Sequence, residues 1–278
     1  MECEYFETPI GNYYLPNYPP RDVVTHYMKH GEVFEPEIIE IGKRFIKKNS
    51  VVLDIGAHYG QMSIIFSSLV GESGRVYSFE AADDIFEILE RNIAANRCTN
   101  VISIFGAVFD SVGEKKFYPK PDFSRFGSWG SYGLDPRAKE GRTVETLTID
   151  SLDIREPVSF MKVDIQGSDL FAMRGARETI MRHRMPIIFE YEVQFQEEFG
   201  TTFDDHLKFI ESIDYRVVDI ISNINYLIVP KEFKYASIVI PLAALHARDK
   251  IRDLIKRMDL IQRGRAAASS VIHSLLRR

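Results

Sequence analysis

The strongest constraint on the fold is an alternation that begins at residue 51, where short apolar runs take turns with segments apolar at helical spacing. Val51-Val52-Leu53-Asp54-Ile55 reads as a strand and Gly56 to Gly60 as a turn. Met62, Ile65, Phe66, Leu69 and Val70 then recur at i, i+3, i+4, i+7 and i+8, one face of a helix that Gly71 ends. Val76 to Glu80 is a second strand, and Asp84 with Glu87 three positions on marks a second helix, carried by Ile85, Leu89 and Ile93. Val101 to Phe105, Ser159 to Asp164 and Ile187 to Glu190 are further strands, with a helix from Asp169 to about Arg182 between the last two. Right-handed crossovers place successive helices on both faces of a parallel sheet, so the fold class is α/β: a doubly wound, mostly parallel, seven-stranded sheet. A helix marked by Phe203, Leu207 and Ile210 precedes its last two strands, Tyr215 to Ile220 and Tyr226 to Val229, which pair across Ser222-Asn223 and make the last strand antiparallel.

The chain divides into three regions. Residues 1–50 are an N-terminal extension with an aromatic opening, Tyr13-Tyr14-Leu15-Pro16, and a helix from Glu37 to Lys47, expected to pack on the active-site side. Residues 51–230 form the α/β domain, and residues 111–142, rich in Gly, Ser and Pro, read as one long loop over it. Residues 231–278 are a C-terminal extension whose segment from Arg248 to Arg278 carries a net +6 on amphipathic helical patterning. Such a segment suits a docking or oligomer helix, or peripheral contact with an anionic inner membrane surface. At 45% hydrophobic and 27% charged, the 278 residues fill a core and exclude disorder. The net charge of −5 argues against nucleic acid as a partner. Cys3 and Cys98 make neither a disulfide framework nor zinc-type spacing, which points to a reducing cytoplasm. The acidic opening Met1-Glu2-Cys3-Glu4-Tyr5 is unlike a secretion signal, and no apolar run approaches the roughly 20 residues of a membrane span.

Ligands of such sheets sit beyond the carboxyl ends of the strands, here Asp54, Glu80, Phe105-Gly106-Ala107, Asp164 and Glu190. The first turn has Gly56 and Gly60 in a G-x-x-x-G arrangement behind an acidic strand end. A diphosphate cradle has G-x-G-x-x-G and no such acid, so a cationic ligand is favoured over a dinucleotide. Glu80 either accepts hydrogen bonds from a ribose or stands as a solvated strand-end charge.

The runs VVLDIGAHYGQMSIIFSSLVGESGRVYSFEA, NVISIFGAVFD, TLTIDSL, FMKVDIQGSDLFAMRGA and PIIFEYE together resemble the FkbM-type methyltransferases, class I enzymes with a Rossmann-like sheet that use S-adenosylmethionine. The resemblance spans roughly residues 10 to 230, and KVDIQG followed by a helix ending near RGA is its most specific part. It implies that Asp54, Gly56, Ala57, His58 and Gly60 line the methionine end of the cofactor, Glu80 with Ala81 the ribose, and Ala107 the adenine edge. The chain departs from the family where His58 stands for a frequent Asn, Ala81 for Pro and Gln166 for Glu. It further implies transfer of a methyl group to a hydroxyl, on a sugar of a glycan, glycolipid or glycosylated small molecule. The alternatives are a polyketide hydroxyl or a nitrogen, an oxidoreductase on the same fold, or a binding module without turnover.

A hydroxyl acceptor needs its proton taken by a base or its acidity raised by a metal. Asp164 and Glu190, ending neighbouring strands, are the candidates for base or for Mg²⁺ ligands, with Glu192 two positions on; closing a pocket and capping a strand are the plainer roles. His58 is a third candidate base or a residue that orients the turn. Lys162 shares a strand face with Asp164 and suits an ion pair. Trp129 and Ser131, with Gln166, are the candidate acceptor-binding residues, the indole either facing a sugar or anchoring the loop. His183, His206 and His246 fall away from the strand ends.

Overall fold

Strand Val51–Ile55 is buried at every position, as a central parallel strand covered on both faces must be. In the computed structural model, residues 1–234 are described except Arg21, Arg125 and Lys139; the basic stretch 248–278 and His246 lie outside the described residues. In chain order the elements are β1 (Cys3–Thr8), β2 (Gly11–Pro16), α1 (Val23–Lys29), α2 (Pro36–Phe45), β3 (Val51–Ile55), α3 (Gln61–Val70), β4 (Arg75–Glu80), α4 (Asp83–Ala95), β5 (Val101–Phe105), β6 (Ala107–Val108), β7 (Lys115–Tyr118), β8 (Arg142–Leu147), β9 (Val158–Val163), α5 (Asp169–Arg174), α6 (Arg177–His183), β10 (Ile187–Glu190), α7 (Val193–Phe199), α8 (Phe203–Ser212), β11 (Tyr215–Ile221) and β12 (Asn225–Pro230).

The main sheet has seven strands in the order β11-β12-β10-β9-β3-β4-β5. β12 is antiparallel to both neighbours, and the other neighbouring pairs are parallel. The strand order reverses between β3 and β9, which opens the crevice where such sheets bind ligands. On one face α2 and α3 bury Ile38, Phe45, Met62 and Phe66 against Val52, Phe160 and Ile188. Each of these large side chains contributes about 1.5 to 3 kcal/mol relative to exposure. α2 starts on Pro36, whose missing amide hydrogen costs nothing at a first helical position.

Several elements differ from the sequence expectation. The helix expected over Asp169 to Arg182 is two helices, because Asp150 of the TLTIDSL run caps the second from outside: its carboxylate accepts from the amides of Glu178 (3.0 Å) and Thr179 (2.8 Å). At the break, a Cβ on Gly175 would stand 1.9 Å from the Phe109 carbonyl oxygen. The second helix starts at Asp83 rather than Asp84, with both acids in the first turn, where the helix dipole favours them. The segment 111–142 is not all loop: β7 pairs with β8, and β8 with β6, in a small three-stranded sheet. The hairpin β1–β2 and the short helices α1 and α7 were also unexpected. Among the described residues no helix is long and apolar enough to cross a membrane.

Candidate active site

A cavity of about 250 Å³ lies at the carboxyl ends of β3, β4, β9 and β10. Its floor is the turn after β3, which neighbouring strands hold at every step. The amides of Gly56 and Ala57 donate to the Phe79 carbonyl (3.0 and 2.9 Å), and Lys162 Nζ donates to the Gly56 carbonyl at 3.1 Å. Gly56 has φ +82, and a Cβ there would stand 1.9 Å from the Asp164 carbonyl oxygen, so only glycine lets β3 and β9 approach this closely. Gly60, with φ +85, precedes α3 as its N-cap and does not line the cavity.

Glu80 closes β4 with its carboxylate turned back onto this turn. It accepts from the amides of His58 (2.9 Å), Ala81 (2.8 Å) and Ala82 (2.9 Å). Burial pushes its carboxyl above the usual range, and the three amides offset this only in part. A carboxylate has about four lone-pair sites, which leaves room for a ligand hydroxyl. Phe79, Ala81, Ile85, Ala107 and Leu134 make an apolar slot beside it.

Asp54, expected to touch the cofactor, lines no part of the cavity: its side chain is fully buried on the sheet face it shares with Lys162 and Ser78, its register partners on β9 and β4. Its Oδ2 accepts from Ser63 Oγ at 2.5 Å, and its Oδ1 lies 3.7 Å from Lys162 Nζ. Lys162 is also 3.1 Å from Asp164 Oδ2. Burial opposes the charge on Lys162, but Asp164, Asp54 and Glu35 more than restore it, and its pKa rises. Asp54 thus anchors the lysine that in turn holds the turn and Asp164.

Asp164, Gln166 and Glu190 meet across the cavity wall. Gln166, held at φ +52, donates through Nε2 to Asp164 Oδ1 (3.1 Å) and to Glu190 Oε2 (2.8 Å). Burial first, then the charge of Asp164, pushes the Glu190 carboxyl well above the usual range. The amide occupies the position a shared cation would need. Among the described residues no group of three His, Cys, Asp or Glu is placed to hold a metal ion.

His58 sits in a left-handed conformation (φ +52) with its ring 3.7 Å from that of Tyr59. Burial lowers its pKa to about 4, and its Nε2 is buried without a hydrogen-bond partner. The imidazole is therefore neutral and offers one unused nitrogen. Above it lies the loop 128–134. Trp129 is an anchor as well as a lining residue: its Nε1 donates to the Tyr18 carbonyl (2.8 Å), and its amide donates to Asp22 Oδ2 (2.8 Å). Asp22 Oδ2 also accepts from Ser128 Oγ (2.7 Å), while Asp22 Oδ1 caps α1 through the Thr25 amide (2.7 Å). Ser131 lines the cavity beside Trp129. His183 contacts the Ile154 carbonyl, and His206 is buried against Phe189, both away from the cavity.

The sequence reading missed Glu35. It lines the cavity from the start of α2, with φ +53, and its Oε1 accepts from Asn225 Nδ2 at 3.0 Å. Burial, then the charge of Asp164, raises its pKa to about 7. An exposed-looking Glu before Pro36 gave no signal, because its partner is 190 positions away.

The Methyltransferase FkbM domain model matches residues 54–217, more than half of the chain. The chain belongs to the FkbM family of S-adenosylmethionine-dependent methyltransferases. Over 85 residues it is 33% identical to the "Probable cobalt-precorrin-6B C(15)-methyltransferase (decarboxylating)" of Saccharolobus solfataricus, covering 29% of this chain and 43% of that one. The chain therefore spans less than half the length of this curated relative. Its structure is similar to the FkbM methyltransferase of Methylobacillus flagellatus KT, at 17% identity and TM-score 0.45, over 68% of this chain and 50% of that one. It is also similar to Aeropyrum pernix fibrillarin with bound S-adenosyl-L-methionine, at 13% identity and TM-score 0.37, over 81% of each chain.

Proposed function

We propose that this FkbM-family chain transfers the methyl group of S-adenosylmethionine to a hydroxyl, on a sugar of a glycan, glycolipid or glycosylated small molecule. The observation that carries the hydroxyl is the lining of the cavity, which gathers proton-handling groups: Asp164, Gln166, Glu190, Glu35 and a neutral imidazole, His58. The residues present fit the cofactor. Glu80 keeps acceptor capacity for a ribose, the slot of Phe79, Ile85 and Ala107 is apolar enough for a purine, and Asp164 brings negative charge to the cationic end. Bound there, S-adenosylmethionine supplies an electrophilic methyl group.

Displacement at that methyl needs an aligned nucleophile more than any other aid. Trp129 and Ser131 line the cavity, and the sugar of the acceptor would lie against them. The test is incubation with S-adenosylmethionine and a panel of neutral mono- and oligosaccharides and glycosides, following release of S-adenosylhomocysteine and locating the new methyl by NMR. An O-methyl sugar is expected. Methylation confined to nitrogen or carbon acceptors refutes the reading.

A further inference from the structure

We propose that Glu35, presented by the N-terminal extension, is the residue that takes the proton from the acceptor hydroxyl. The inference rests on the hydroxyl reading above and adds the group that completes it. Of the other cavity acids, Asp164 is tied to Lys162 and Gln166, Glu190 shares the Gln166 amide, Glu192 accepts from Gln194 Nε2, and Glu80 holds three backbone amides. Glu35 differs in geometry. Asn225 on β12 fixes one carboxylate oxygen, Oε1, and no described residue donates to the other, Oε2. The left-handed backbone at φ +53 is costly for a glutamate, and it places this side chain among the residues that line the cavity. Asp164, Glu190 and Glu37 bear on it as acids and Lys162 as the opposing cation. With burial, they bring it to about 7, where a base is both deprotonated and strong enough to work.

In the step itself, a lone pair on the acceptor oxygen forms the new O–CH₃ bond as the C–S bond breaks, its electron pair remaining on sulfur as a neutral thioether. The O–H proton passes to Glu35 Oε2 and leaves to solvent after product release.

The test compares wild type, Glu35→Gln and Glu35→Asp. In ¹³C-carboxyl NMR of the free protein, the resonance missing from Glu35→Gln is expected to titrate near 7. With the best glycoside of the panel, Glu35→Gln is expected to lose 10²- to 10⁴-fold in kcat and the acid limb of the pH profile. KM and S-adenosylhomocysteine affinity by calorimetry stay within about threefold, and Glu35→Asp recovers part of the rate and the limb. A Glu35 resonance titrating below 5, or a Glu35→Gln enzyme with wild-type rate and acid limb, overturns the proposal while leaving the hydroxyl reading standing. A wild type that methylates no glycoside overturns the hydroxyl reading and this one with it, whatever the titration shows.

Discussion

Replacing Lys162 by Met removes the cation that two carboxylates share and leaves Asp54 fully buried with only Ser63 for company. The cost can be worked from the cheapest escape open to Asp54, which is to take a proton. From an ordinary aspartate value of 3.8, doing so at pH 7 costs about 4 kcal/mol at 1.36 kcal/mol per pH unit. That agrees with the ~3 to 5 kcal/mol typical of breaking a buried pair from one side. For a domain of this size it lowers Tm by roughly 10 to 15 °C. The sign with pH follows from the same account. In Lys162→Met the folded Asp54 holds its proton above the unfolded value, so its penalty grows as pH rises past about 4 and shrinks as pH falls. Burial already raises Asp54 in the wild type despite Lys162, so urea unfolding of wild type and variant should differ by up to about 4 kcal/mol at pH 7 and by less than 2 at pH 5. The double variant with Asp54→Asn should recover at least half of the loss at pH 7. A loss under 1 kcal/mol at pH 7, or one flat between pH 5 and 7, refutes the claim that Lys162 and Asp54 form one buried unit.

Glu80→Gln should weaken S-adenosylmethionine binding by about 1 to 3 kcal/mol in calorimetry, through loss of charged acceptor capacity, and unchanged affinity would remove Glu80 from the cofactor site. His206, neutral through burial with its pKa lowered to about 4, makes stability fall as pH drops from 6.5 toward 4, by about 3 kcal/mol in all; His58, lowered to the same value, adds to the slope, so His206→Gln should lose only its own share in urea midpoints taken across this window. Asp22→Ala should cost about 1 kcal/mol for the lost α1 cap and release Ser128 and Trp129, read as faster amide exchange over residues 128–133 with β3 and β9 unchanged. Equal exchange there would show that the loop stands without the Asp22 contact.

What the sequence disclosed and what it hid divide along one line. β3, β4, β9 and β10 are short apolar runs whose burial needs no distant partner to be inferred, and Glu80, Gly56 and Asp164 follow from their ends. The hairpin β1–β2 is largely exposed on its first strand, so its alternation carries no clear hydrophobic period. The break before α6 depends on Asp150, supplied from 28 and 29 positions upstream, and on the backbone of Phe109. Asp54 was read by its place at a strand end, whereas its direction is set by Lys162 and Ser78 on the neighbouring strands. Glu35 and Trp129 matter through contacts with Asn225, Tyr18 and Asp22 that no local window contains.

Gly56 bears on how relatives of this chain are to be read. A glycine in the first turn of such a sheet is commonly taken as room made for a ligand, and its retention as a mark of a working enzyme. Here the space a side chain would fill already belongs to the carbonyl of Asp164. A descendant that had abandoned methyl transfer would still require glycine at this position merely to bring its two central strands together, so the residue records ancestry of the scaffold. Retention of Glu80, whose amide contacts leave one acceptor site to spare, is the better witness to a bound cofactor.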